Sequence, residues 1–143
     1  YTISNMVCLV KLNIDMKDAY VEKFSAVLDE IHTFRVYPQV KIYVSVLLAD
    51  HVEKTDFFVE PFGLRYMSIT TPTSAKELGD NCLVVAGIFP GFRGMSDRYY
   101  VEIGSGSYSA AASVTGSKIF DSLAENFDLF RDGLRQISPP KFI

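Results

Sequence analysis

An all-α fold, a single bundle of five or six helices, is what the sequence predicts, and three observations predict it. Apolar residues recur at steps of three and four along most of the chain, the spacing of one helix face rather than the alternation of a strand. Proline, serine or aspartate stands where the clearer periodic runs begin, and glycine or proline where they stop. The final run, Phe120, Leu123, Phe127, Phe130, Leu134 and Ile137, keeps a three–four rhythm throughout, the seam of a bundle or of a coiled coil.

Taken in order, residues 1–14 read two ways. Met6, Cys8, Val10 and Leu12 would share a strand face, whereas Ile3, Val7, Val10 and Ile14 suit a helical stripe, which the helical remainder favours. Asp15 then caps a helix reaching about Thr33, with Tyr20, Phe24, Val27, Ile31 and Phe34 on its buried side. Pro38 opens the next, from Gln39 to about Lys54, which is apolar around most of its circumference. A helix of that kind is expected at the centre of a bundle or in a subunit interface. Residues 57–71 carry Pro61 and Gly63 without a helical period, so a long connection is expected, with Leu64–Ile69 extended and Phe57, Phe58 and Phe62 lying over one end of the core.

Pro72, together with Ser74 three residues before Glu77, marks the start of a helix through Ala75, Leu78, Cys82, Val85 and Phe89 that Pro90-Gly91 ends. Inside it, Gly79 is expected to allow another helix close, with Asp80 pointing to water. After a loop, Asp97 (or else Ser96) caps the helix that runs to Thr115-Gly116. Ser117 starts the last helix, and Ser138-Pro139-Pro140 stops it before a short tail, residues 138–143. No internal repeat appears, and 143 residues suit one domain with a real core.

Composition narrows the function classes. Hydrophobic residues make up 48% and aromatics 13%, with no Trp, a core-forming rather than disordered balance. The net charge is −3 with basic residues scattered, so the footprint of a nucleic-acid binder is missing. The longest apolar region, Val36–Ala49, is interrupted and shorter than the roughly 20 residues a bilayer requires. Cys8 and Cys82 lie far apart in apolar surroundings, which predicts reduced core thiols and a cytoplasmic setting. Opening on Tyr1 without a basic region predicts a truncated end rather than a secretory precursor.

One stretch tempts an enzymatic reading. Val101-Glu102-Ile103-Gly104-Ser105-Gly106 has the look of a methyltransferase or dinucleotide-binding loop between strand and helix. Such a fold needs a second strand ending in an acid about 20 residues on, and further βα units. Here Asp121 falls at the start of a helix, Ser109 replaces the third glycine, and no sheet precedes. Read as a helix instead, the segment aligns Tyr100, Gly104, Ser107, Tyr108 and Ala111 on one side as a small-residue groove flanked by rings.

Leu78-Gly79-Asp80, Leu83, Gly87-x-Phe89-Pro90, Asp97-x-Tyr99-Tyr100, Gly104 and Tyr108, with Phe120, Leu123-Ala124, Phe127, Leu134 and Ile137-Ser138 in the last helix, resemble a family of small all-helical bacterial proteins of unknown function. The likeness covers roughly Val40–Ser138, and Ser107 departs from the alanine expected before the tyrosine. What the resemblance implies is an all-helical fold and a bacterial cytoplasm. It carries no activity.

Other chemistry is thinly represented. His32 and His51 follow Asp29 and Leu48 by three residues, so the paired Glu-x-x-His of a di-iron bundle is absent and no zinc set is evident; both are expected to be solvated at helix ends. No Gly-x-Ser-x-Gly elbow with a following acid and histidine occurs. No catalytic residue, metal or cofactor is therefore expected. What remains is Asp80, Tyr99, Tyr100, Gly104 and Tyr108, read either as a hydrogen-bonded lock between helices or as a pocket for a small apolar or aromatic ligand. The two differ in whether a neighbouring side chain fills the notch at Gly104. The expected function is a non-enzymatic association or regulatory module acting as a homodimer, motivated by the Val40–Leu48 helix and the Phe120–Ile137 seam; the alternative is a small-molecule binding domain.

Overall fold

The computed structural model describes residues 17–52 and 61–137, and the readings of residues 1–14, Cys8, Phe57, Phe58 and the tail lie outside them. Every regular element among the described residues is helical. In chain order these are α1 (residues 17–29), α2 (His32–Val36), α3 (Pro38–His51), α4 (Phe62–Met67), α5 (Pro72–Ile88), α6 (Asp97–Thr115), α7 (Lys118–Glu125) and α8 (Phe127–Arg135), with a 3₁₀ turn at Phe92–Gly94 between α5 and α6. The all-α class is as expected, but five or six helices become eight segments.

Three local causes account for the difference. The first periodic run is broken at Ile31, whose extended backbone separates α1 from α2. The last is broken at Asn126, which leaves the helical region at φ −117° and lets Phe127 restart as α8. In the connection near 57–71, the stretch expected to be extended is the helix α4, with Pro61 as its N-cap.

Helix α5 is the centre. Every residue from Leu78 to Ile88 is buried, on all sides of the helix. α3 does not hold the central place that its composition suggests. It buries Val40, Val44, Leu47 and Leu48 but leaves Ile42 61% and Val46 38% exposed. α5 and α6 form an antiparallel hairpin, with Gly79 against Tyr108 and Cys82 against Gly104. α7 and α8 return antiparallel to α6: the Ser105 hydroxyl donates to the Ala124 carbonyl at 2.8 Å, and Asp97 pairs with Arg131 at 2.8 Å and with Arg135. The Phe120–Ile137 seam therefore faces inward. Leu123, Phe127, Phe130, Leu134 and Ile137 are all buried, and Phe130 stacks on Phe34 and meets Tyr37 edge-on.

Helix ends follow their local chemistry. Thr71, rather than Ser74, caps α5: its hydroxyl accepts from the Ser74 amide while the Ser74 hydroxyl accepts from the Thr71 amide, with Pro72 in the first turn where a missing N–H costs nothing. Ser96, not Asp97, caps α6, and Asp97 sits in the first turn, where helix polarity favours a negative charge. Gly116 ends α6 at φ +68°, in the left-handed region that a side chain would resist.

Candidate functional site

The residues singled out in the sequence separate into an interior cluster and a surface pocket. The interior cluster surrounds Asp80, in the middle of α5 and only 4% exposed. Its Oδ1 accepts from Tyr108 Oη at 2.6 Å and from Tyr43 Oη at 2.7 Å, while Oδ2 accepts from Lys76 Nζ at 2.9 Å. Asp80 therefore does not point to water. It joins α3, α5 and α6 through one carboxylate. A buried charge is tolerated only when paired and hydrogen-bonded in this way.

Burial first, and then the neighbouring carboxylate, holds the Tyr108 and Tyr43 hydroxyls above the ordinary tyrosine value. They donate hydrogen bonds and are poor nucleophiles. Gly79 permits the arrangement, since a β-carbon there would lie 2.8 Å from Tyr108 Cδ1. The notch at Gly104 is filled. A β-carbon on Gly104 would come within 2.5 Å of Phe127 Cε2 and 2.9 Å of Cys82 Cβ, so the cluster is a packed lock with no space for a ligand beside Gly104.

A second polar group lies one residue along. The Asn81 amide nitrogen donates to His51 Nε2 at 2.9 Å, and its oxygen accepts from Arg65 Nη1 at 2.8 Å and Nη2 at 3.0 Å. His51 Nδ1 in turn donates to the Leu47 carbonyl at 2.9 Å. The expectation of a solvated helix-end histidine fails for His51, which is half-buried and ties α3 to α5; His32 is exposed. Cys82 completes the polar run as a buried free thiol that burial raises above its ordinary pKa. Among the described residues no buried side-chain nitrogen or oxygen lacks a partner, and no three His, Cys, Asp or Glu side chains gather as a metal site would require.

Tyr99 and Tyr100 belong elsewhere. They sit at the start of α6, facing the start of α4 and the turn after α5, and together these segments enclose a pocket of about 250 Å³. Its walls among the described residues are Phe62, Phe92, Tyr99 and Tyr100, with Pro61, Arg93 and Met95 completing them. The rings hold one another at defined angles: Tyr100 meets Tyr99 at 5.1 Å and Phe62 at 5.6 Å, both edge-on. Two hydrogen bonds fix the tyrosines. Tyr100 Oη donates to the Phe92 carbonyl at 2.8 Å, and Tyr99 Oη accepts from the Gly63 amide at 2.8 Å. Burial raises the Tyr100 hydroxyl above its ordinary value, and the nearby Arg93 guanidinium pulls the other way.

Arg93 has a left-handed backbone, φ +53°, between left-handed Gly91 and Gly94, and its guanidinium lies 5.4 Å from the centre of the Phe92 ring. The sequence reading missed Phe92, Arg93 and Met95. Their one local signal is the pair of glycines bracketing Phe92-Arg93, which suits a turn with positive φ.

Comparison with protein-family models, curated proteins and solved structures finds no match to this chain. Among the described residues, no helix is long and apolar enough to cross a membrane.

Proposed function

We propose that the chain is a non-enzymatic binding module that takes a small apolar or aromatic molecule into the pocket between α4, the 3₁₀ turn and the start of α6. The observation that carries this reading is the pocket itself, about 250 Å³ with four aromatic walls. Concave apolar sites with a few placed polar groups are the usual form of a small-molecule site, and this volume lies just under the drug-sized range, suiting a ligand of one or two rings.

The test is titration of one- and two-ring aromatic compounds followed by NMR. Shift changes are expected at Phe62, Phe92, Tyr99 and Tyr100, and Met95→Trp, at a half-exposed wall position, should abolish them by filling the space without unfolding the chain. Shifts scattered over the surface, or unchanged in Met95→Trp, would sink the reading.

Self-association is a second reading, supported by Ile42 and Val46, which lie one turn apart and exposed on the outer face of α3. The Phe120–Ile137 seam lends it nothing, because that seam is inside the subunit. Sedimentation equilibrium of the wild type and of Ile42→Glu decides it: a wild type that stays monomeric removes the homodimer. A cytoplasmic setting agrees with the buried free thiol of Cys82, and bacterial origin rests on the resemblance alone.

A further inference from the structure

We infer that Tyr99 decides what the pocket takes: neutral aromatic molecules bearing a hydrogen-bond acceptor, an aryl ketone being the simplest, whose oxygen accepts from the Tyr99 hydroxyl. The inference rests on the pocket being a ligand site and adds the group that its ligand carries.

The four rings accept a flat apolar body, and the polar groups among them can each be followed to a partner. The Phe92 carbonyl accepts twice, from Tyr100 Oη at 2.8 Å and from the Met95 amide at 3.2 Å, which fills both lone pairs. The Pro61 carbonyl is turned into α4, where it accepts from the Arg65 amide at 3.2 Å. Tyr100 Oη gives its hydrogen to Phe92. Arg93 lies against the Phe92 ring and already has its partners. Tyr99 differs. Its Oη accepts from the Gly63 amide at 2.8 Å, and a phenol oxygen that accepts still has a hydrogen to donate. Among the described residues nothing accepts that hydrogen.

The oxygen is also well placed. Gly63 follows directly on Pro61 and Phe62, both walls of the pocket, so its amide holds the phenol oxygen at the α4 edge of the same space. A β-carbon on Gly63 would lie 3.1 Å from that oxygen, and glycine is what lets it come so near. With one flank of the oxygen taken by the amide, the hydrogen turns to the other. An amide that donates to a hydroxyl also polarises it and strengthens the bond that the hydroxyl donates in turn. A bare hydrocarbon filling the pocket would take water from this donor and give nothing back, whereas an acceptor oxygen at the α4 edge satisfies it. A carboxylate would bring a charge into an apolar space whose cationic wall residue is already engaged, so a neutral acceptor is favoured.

The experiment compares 2-acetylnaphthalene with 2-isopropenylnaphthalene, which share a shape and differ in carrying an oxygen or a methylene at one position. Affinities are measured by NMR titration on the wild-type chain and on Tyr99→Phe, with circular dichroism confirming the fold of each. Tyr99→Phe should weaken the ketone relative to the hydrocarbon by about three- to tenfold, the scale of one neutral hydrogen bond. The substitution also takes the acceptor from the Gly63 amide. Any loosening of α4 that follows acts on both probes, so the ratio of their affinities reads the hydroxyl. A second readout is spectroscopic. The carbonyl stretch of the bound ketone should fall below its value in hydrocarbon solvent on the wild type and return to that value on Tyr99→Phe. A ratio that Tyr99→Phe leaves unchanged, or a stretch that is the same on both proteins, overturns the role of Tyr99 while leaving an aromatic pocket in place. Failure of both probes to bind removes the pocket reading together with this one.

Discussion

Asp80 shows how one residue can carry an arrangement that its neighbours in sequence do not announce. Periodicity makes Asp80 adjacent to an apolar stripe, and an acid adjacent to a stripe ordinarily faces water. It is instead enclosed because Gly79 lets Tyr108 approach the helix, and that ring brings a hydroxyl to the carboxylate. The Asp80–Tyr108 pair was legible, since buried tyrosines seek acceptors. The Tyr43 contribution was not, because it comes from a helix 37 positions away in sequence. Asp80→Ala leaves the wholly buried Tyr108 hydroxyl without its acceptor and is expected to cost about 3 kcal/mol; Asp80→Asn keeps an acceptor oxygen and should cost less. Urea unfolding measures both. Equal losses would show that the retained acceptor oxygen contributes nothing, contrary to the geometry.

At the scale of the element, helix starts and stops were the most legible features, because each depends on one or two side chains. Pro38, Pro72, Ser117 and Gly116 act where they stand in the sequence. The breaks were hidden. Leu123, Phe127, Phe130 and Leu134 stay in helical phase across Asn126, so the apolar rhythm continues through a point where the backbone does not. Helix α4 was hidden by its own Gly63 and short length, and the pocket by being assembled from three separate segments, of which only Tyr99-Tyr100 stood out. Ser96 holds the α6 end of that pocket by accepting from the Tyr99 amide at 3.2 Å. Ser96→Ala should cost about 1 kcal/mol, and Ser96→Asp should restore it. Amide exchange at Tyr99 and Tyr100 checks where the loss falls, and slowed or unchanged exchange there would assign the helix start to Asp97 and its arginines instead.

For the whole molecule, the polar interior sets a limit on the alkaline side. Tyr108 and Cys82 are both raised by burial, so the fold holds their protons where the unfolded chain would release them. The sign follows: their contribution is complete below the unfolded values, about 8.5 for the thiol and about 10 for the phenol, and is lost as pH rises past them. Stability should fall by up to about 1.4 kcal/mol per pH unit for each group, first for Cys82 and then also for Tyr108 and for Tyr43, which burial raises likewise. Urea midpoints taken from about pH 8 to about pH 11 should show this, and Tyr108→Phe should flatten the upper part of the decline. A midpoint constant over that range would contradict the burial of these groups.

The closeness of α5 and α6 has one more consequence, for time rather than energy. Cys82 lies at their contact, its β-carbon beside Gly104, with no path to its sulfur while the two helices stay together. A thiol reagent reaches it only during an opening of the packing around it, of which the hairpin is one wall. In a Cys8→Ser background, and with reagent concentrated enough that labelling outpaces reclosing, the rate at which Cys82 is labelled therefore counts those openings. The molecule carries its own clock for openings of the packing around its two central helices, readable without any ligand.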